Sequence, residues 1–316
     1  MSRRRPPRLI VVTGAPRSGT TAVGRFLSLG KGVGTLHEPF NQLVGMKEIE
    51  HYFEIPGSEA CSEEKFEACM TKIERLDLSF KPGLFPREQG LRKLAKRLIG
   101  GRTLNSYRLC KLTPGLHTLI WKDPFACFAA ARIAAGHQAE IVVTLRNPWA
   151  VAASFKRMEW AFDLPDLRQR LEQAGIEGGY FDDPAWEAQR TPAINAAFLW
   201  HAIHARLYQE GNNNPRFHFV DLDRVVATPV ASYQDLYAAT GLAWSTAIEE
   251  KIQQQYTSTN SNSAPEGQKA HDSRRDLSSI NSYWKKLLDP EEEAVVSRLN
   301  AELWSAISTL AGKASP

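Results

Sequence analysis

Two stretches of this sequence gather cations and hydroxyls at spacings that could hold an anion. In Gly14-Ala15-Pro16-Arg17-Ser18-Gly19-Thr20-Thr21, two glycines bracket an arginine and a serine, and two threonines follow. A loop of this spacing between a buried strand and a helix turns its backbone N–H groups outward, and the helix dipole favours negative charge there. The usual phosphate loop reads G-x-x-x-x-G-K-[ST]. Here Thr20 stands in the place of the lysine, and Arg17 supplies a cation within the loop instead. The second stretch is Thr144-Leu145-Arg146-Asn147-Pro148, with Ser154 about two helical turns further on. Arg146 emerging from a strand end can fork onto a phosphate, and Ser154 can turn its hydroxyl to the same anion.

A candidate proton acceptor lies between these stretches, in His37-Glu38-Pro39-Phe40. Pro39 discourages helix at Glu38, which leaves a carboxylate at the mouth of the short extended segment Val33 to Leu36. His37 is the competing base. A lysine, Lys122 in Trp121-Lys122-Asp123-Pro124, ends another apolar stretch, and Asp123 could orient it.

The elements that must position these groups follow from hydrophobic pattern. Leu9 to Val12 and Glu140 to Leu145 read as buried strands, each followed by a turn and a helical pattern. Phe217 to Val220 reads as another strand, followed by a helix from Pro229 to Thr240 that Gly241 stops. Strands alternating with helices and apolar on both faces predict an α/β fold with a mainly parallel sheet flanked by helices, a three-layer sandwich. Residues 42–118 read as an insertion on the acceptor side, with amphipathic pieces at Glu63 to Leu78 and a basic run from Arg87 to Arg97. The polar composition from Gln253 to Ser282 predicts a loop, and helical periodicity returns from Pro290 to Leu310.

Composition narrows the function. The chain of 316 residues is 43% hydrophobic and 23% charged, enough for one large core, so residues 8–313 are expected to form one domain behind a basic tail at residues 1–7. A formal charge of +4 suits an enzyme of anionic ligands better than a protein that coats nucleic acid. No apolar run is long enough to span a bilayer and no signal-peptide pattern opens the chain, so a cytoplasmic protein is expected. Cys61, Cys69, Cys110 and Cys127 lack the pairing of a zinc site and read as buried thiols, a Cys61–Cys69 disulfide being the alternative in an oxidising compartment. His201, His204 and His218 lack metal-ligand spacing, so no metal is expected. Trp149, Phe155, Trp160 and Phe162 read as packing residues, one of which could flank an acceptor. A strand-end aspartate to organise Mg²⁺ is not expected, because the strand ending at Leu145 delivers Arg146. Together with Thr20, this weakens a kinase or ATPase reading.

With those residues in place, the loop P-R-S-G-T-T resembles the 5′-phosphosulfate-binding loop of PAPS-dependent sulfotransferases, of the bacterial and carbohydrate-type branch. The resemblance implies a P-loop-like fold, PAPS as donor with PAP as product, no metal, and an acceptor hydroxyl or amine on a carbohydrate or small metabolite. Gly14, Arg17, Ser18, Gly19, Thr20 and Thr21 would hold the 5′-phosphosulfate, and Arg146 and Ser154 the 3′-phosphate. Glu38 would be the base, and Lys122 with Arg17 would stabilise the sulfate or the leaving phosphate. Ser273-Arg274-Arg275-Asp276 before Trp284 resembles the family's late loop, so Arg274 or Arg275 would add a cation at the 3′-phosphate. An atypical P-loop kinase and a non-catalytic nucleotide-binding module are the alternatives.

Overall fold

The computed structural model describes residues 6–82, 101–188, 191–258 and 283–311. Five strands, β1 (Arg8–Thr13), β2 (Val33–His37), β3 (Thr118–Lys122), β4 (Glu140–Leu145) and β5 (Phe217–Asp221), form one sheet in the order β2-β3-β1-β4-β5. Every pairing is parallel. The register sets His37 opposite Lys122, Lys122 opposite Val12, and Thr13 opposite Val143. Parallel strands in this register deliver their carboxyl ends to a single edge, where the glycine loop, Glu38, Lys122 and Arg146 lie at or just beyond strand ends.

Helices cover both faces. Along β1 the side chains alternate: Leu9 and Val11 enter one core, while Ile10 and Val12 enter the other. The smaller core also takes Val23, Phe26 and Leu27 of α1 (Thr20–Leu27). The larger core lies on the opposite face. It receives α2 (Glu63–Arg75), α3 (Arg102–Leu112), α4 (Ala130–His137), α5 (Pro148–Met158), α6 (Leu164–Gln173) and α7 (Pro192–Gly211). After β5 come α8 (Leu222–Ala227), α9 (Pro229–Ala239) and α10 (Thr246–Ser258), which close the smaller core through Val225, Tyr233 and Ile252. The final helix, α11 (Pro290–Ser308), packs into the larger one. The three-layer α/β arrangement expected from the strand and helix pattern is the one observed.

One boundary differs. The polar stretch expected to be a loop from Gln253 begins as helix, since α10 continues to Ser258. Ile248, Ile252 and Tyr256, spaced four apart, turn one face of that helix onto the smaller core, and this burial outweighs the polar residues between them. The remainder of that stretch, and the basic run at Arg87 to Arg97, lie outside the described residues. Within residues 42–118, α3 shields the outer edge of β2: the Ser106 hydroxyl accepts from the His37 N–H at 2.9 Å and Cys110 donates to the Thr35 carbonyl. All four cysteines are buried free thiols.

The loop after β1 depends on a glycine. Gly14 has φ of +135°, and a Cβ there would lie 2.5 Å from the Thr144 carbonyl oxygen of β4. Backbone cannot yield as a flexible side chain can, so Gly14→Ala should destabilise the fold by at least about 2 kcal/mol, a loss that urea unfolding would measure.

Candidate active site

The Gly14–Gly19 loop crosses the carboxyl edge between β1 and α1. Arg17 takes a left-handed conformation with φ of 76°, and Gly19 follows at 87°. Gly19 is the N-cap of α1 and no side chain caps that helix; the Ala22 N–H already donates to the Gly19 carbonyl at 3.0 Å, which leaves the N–H groups of Thr20 and Thr21 to face an anion. The loop is tied to β4 by hydroxyls. Ser18 and Thr144 share a hydrogen bond of 2.7 Å, and Thr144 Oγ1 also donates to the Thr13 carbonyl at 3.1 Å.

Beside the loop, Glu38 and Lys122 form an ion pair through Glu38 Oε1 and Lys122 Nζ. The pairing follows from the sheet: Glu38 is the residue after β2, Lys122 ends the neighbouring β3, and the Glu38 N–H donates to the Lys122 carbonyl at 2.8 Å. The Lys122 side chain is 4% exposed. Its stem lies against α1 at Gly24, where a Cβ would stand 3.1 Å from Lys122 Cβ. Glu38 occupies left-handed backbone with φ of 49°, which turns its carboxylate away from the β2 line. Asn41 Nδ2 donates to the other oxygen, Oε2, at 2.9 Å. Burial alone would raise the Glu38 carboxyl. The charges of Lys122 and His37 and the hydrogen bonds from Lys122 and Asn41 more than offset it and hold Glu38 down at about 2. His37, the competing base, has Nε2 at 4.0 Å from Glu38 Oε1.

Asp123 does not orient Lys122. Its Oδ2 accepts from the Phe40 N–H at 2.7 Å and from Trp121 Nε1 at 3.2 Å, and its Oδ1 accepts from the Phe125 N–H at 3.0 Å. It therefore pins the turn that carries Glu38. Burial and the nearby Glu38 charge push its carboxyl up to about 7. The expectation that no strand delivers an aspartate needs correcting on this point: Asp123 directly follows β3 and Asp221 closes β5. Both have structural partners, since the Asp221 carboxylate caps α8 by accepting from the Asp223 N–H at 2.9 Å.

The second candidate pair, Arg146 and Ser154, lies on the other side of the loop. Arg146 is 5% exposed and Nη1 donates to the Arg17 carbonyl at 3.0 Å. Trp200 of α7 fixes the Arg146 backbone, donating from Nε1 to its carbonyl at 3.0 Å. Ser154, fully buried on α5, accepts from Arg17 Nε at 3.1 Å. Arg17 also stacks 5.7 Å from the centre of the Trp160 ring. The loop cation thus bridges the two candidate phosphate positions.

The fold therefore brings together Gly14, Arg17, Ser18, Gly19, Thr20, Thr21, Glu38, Lys122, Arg146 and Ser154 on one edge of the sheet. Arg274 and Arg275 lie outside the described residues. The histidines are dispersed: His201 bonds the Leu299 carbonyl, His204 stacks on Trp200, and His218 pairs with Glu140. Among the described residues no group of three metal-ligating side chains forms. Sequence reasoning missed Asn41 and Trp200 as supports of the site. Asn41 sits three residues after Glu38, a spacing that hinted at the contact, whereas nothing local to Trp200 points to Arg146.

No curated protein sequence matches the chain. A sulfotransferase from Alicyclobacillus acidocaldarius shares 14% identity over 97% of this chain and 96% of its own, with a TM-score of 0.47. A mouse sulfotransferase complexed with PAP shares 14% over 96% and 85%, with a TM-score of 0.45. A sulfotransferase from Mycobacterium avium shares 13% over 95% and 76%, with a TM-score of 0.44. The model of the sulfotransferase family matches residues 7–246, a span that takes in the glycine loop, the Glu38–Lys122 pair and Arg146 with Ser154, and the chain belongs to that family.

Proposed function

We propose that this sulfotransferase uses PAPS and transfers its sulfuryl group to an acceptor hydroxyl or amine, on a carbohydrate or a small metabolite. The observation that carries the reading is the arrangement of Arg17, which lies between a glycine loop suited to one phosphate and the Arg146–Ser154 pair suited to another. PAPS carries phosphates at both ends of its ribose, and the PAP bound to the mouse protein is the product expected of such a donor. The loop N–H groups with Ser18, Thr20 and Thr21 would take the 5′-phosphosulfate, and Arg146 with Ser154 the 3′-phosphate. Arg274 or Arg275 would close the same site.

In the reaction the acceptor oxygen or nitrogen forms a bond to sulfur as the bond from sulfur to the bridging oxygen breaks. The acceptor proton passes to Glu38, and PAP departs with its new charge facing Arg17 and Lys122. Glu38 held at about 2 is a weak base, because Lys122 stabilises its charged form. Once the lysine ammonium turns to the donor's oxygens, the counter-charge leaves Glu38 while its burial stays. Its affinity for a proton then rises, so donor binding switches the base on. Within residues 42–118, α3 packs beside β2, next to Glu38, and that insertion would select the acceptor.

Label transfer from PAPS to an acceptor pool should disappear in Arg17→Ala and fall roughly 10²- to 10⁴-fold in Glu38→Gln, the range of a lost general base. Unchanged turnover in either variant would remove that residue from the mechanism. In Lys122→Met, the Glu38 carboxyl should titrate well above its present value of about 2, since burial would act without its counter-charge. Carboxyl ¹³C NMR across pH reads this directly, and an unmoved titration would refute the coupling.

A further inference from the structure

Helix α5 carries a charge that none of its described neighbours uses. Arg157 has no hydrogen-bond or ion-pair partner among the described residues, and its Nε and Nη2 are shielded from solvent. A guanidinium cannot shed its proton, so a shielded one without an acceptor is costly unless an anion arrives. Other cations of α5 and α6 are not in this position. Lys156 pairs with Asp289 and Glu292, Arg168 with Glu172 and Asp182, and Arg170 with Asp166.

The place of Arg157 on the helix indicates which anion. Trp149 and Lys156, seven residues apart, mark the face of α5 turned to α11: the Trp149 Nε1 donates to Ser297 at 3.0 Å, and Lys156 reaches Glu292. On this same face Trp149 stacks on Trp284 at 5.9 Å. Ser154 marks a different face, the one turned to Arg17. At about 100° per residue, Arg157 projects between the two. It follows Ser154 by three residues, so the two side chains are neighbours on the helix surface. Helical side chains also lean toward the N-terminus, which carries the guanidinium back over the turn that holds Ser154.

We infer that Arg157 is a further binding residue for the 3′-phosphate, acting beside Arg146 and Ser154. This rests on the PAPS reading above. A phosphate monoester near neutral pH carries almost two negative charges. Among the described residues assigned to this phosphate, Arg146 supplies the positive charge, and that charge is shared, because Nη1 holds the Arg17 carbonyl and the charge also acts on Asp223. A second guanidinium from the neighbouring helix face would balance the anion and relieve its own shielded nitrogens. Selectivity for a nucleotide phosphorylated at the 3′ position would then depend on two strands of contact, one from the end of β4 and one from α5.

The test is calorimetric binding of adenosine 3′,5′-bisphosphate and of adenosine 5′-monophosphate to the full chain. Wild type should prefer the bisphosphate. In Arg157→Gln the bisphosphate should weaken roughly tenfold to hundredfold, as for a lost charge-assisted contact, and the monophosphate should be unchanged. Arg157→Lys, which keeps the charge without the fork, should recover part of the preference. An undiminished bisphosphate preference in Arg157→Gln, or equal weakening of both nucleotides, would overturn the inference and place Arg157 against another part of the chain. Equal binding of both nucleotides by wild type would instead overturn the PAPS reading itself. If Arg157→Gln melts early without ligand, Arg157→Lys carries the same comparison: a reduced preference supports the assignment and an unchanged one overturns it.

Discussion

Lys122 ends a central strand with its ammonium almost wholly withdrawn from water, and a cation so placed requires an anion within reach. The sheet supplies one. Because β2 and β3 are parallel neighbours with His37 opposite Lys122, the first residue beyond β2 falls beside the lysine, and that residue is Glu38. Its left-handed backbone, the Pro39 that follows and the Asp123 clamp on Phe40 then fix the direction of the carboxylate. The pair is therefore a product of strand order and register as much as of the two side chains. It also explains the small residue on α1, since the lysine stem occupies the space a side chain at Gly24 would need. Holding the pair together costs desolvation on both sides, and a stability role alone gives little return for that cost. A site that must present a carboxylate and a cation to a reacting group gives a better account of why both are kept.

On the other side of β1 the constraint is steric. Gly14 passes so close to the Thr144 carbonyl that β4 and the glycine loop are in effect one unit, stitched by the hydroxyls of Ser18 and Thr144. Arg146 extends this unit by holding the Arg17 carbonyl, and Trp200 holds Arg146 from the helix behind. A displacement of the loop would thus be felt at the second anion position, and the reverse. On the PAPS reading proposed above, two anion sites built this way would read the spacing between phosphates as well as their charge.

Much of this was legible in the residues. The buried strands at Leu9 to Val12 and Glu140 to Leu145 carry apolar runs, which a sheet covered on both faces requires, and the candidate residues sit where those runs stop. Glycine spacing located the loop because backbone with positive φ tolerates few other residues. What was not legible depends on contacts distant in the chain. The Glu38–Lys122 pair needs the strand order, which no local pattern states. Asp123 looked like a partner for its neighbour Lys122, yet its oxygens are taken by N–H groups of Phe40, Trp121 and Phe125. The helix at Gln253 to Ser258 was hidden for the same reason: three apolar residues at four-residue spacing suffice once a core is there to receive them.

Arg17 joins these parts. In its left-handed position it gives its carbonyl to Arg146, its Nε to Ser154 and its guanidinium face to Trp160. A lysine could supply the same charge, but not a flat group that stacks while it donates sideways. An arginine inside the loop therefore replaces the lysine of an ordinary phosphate loop with a group that belongs to both anion positions. That substitution moves the cation from the helix start toward β4 and α5. On the proposed reading, the fold would then favour a ligand with anionic groups on both sides of the loop over a simple polyphosphate lying along it.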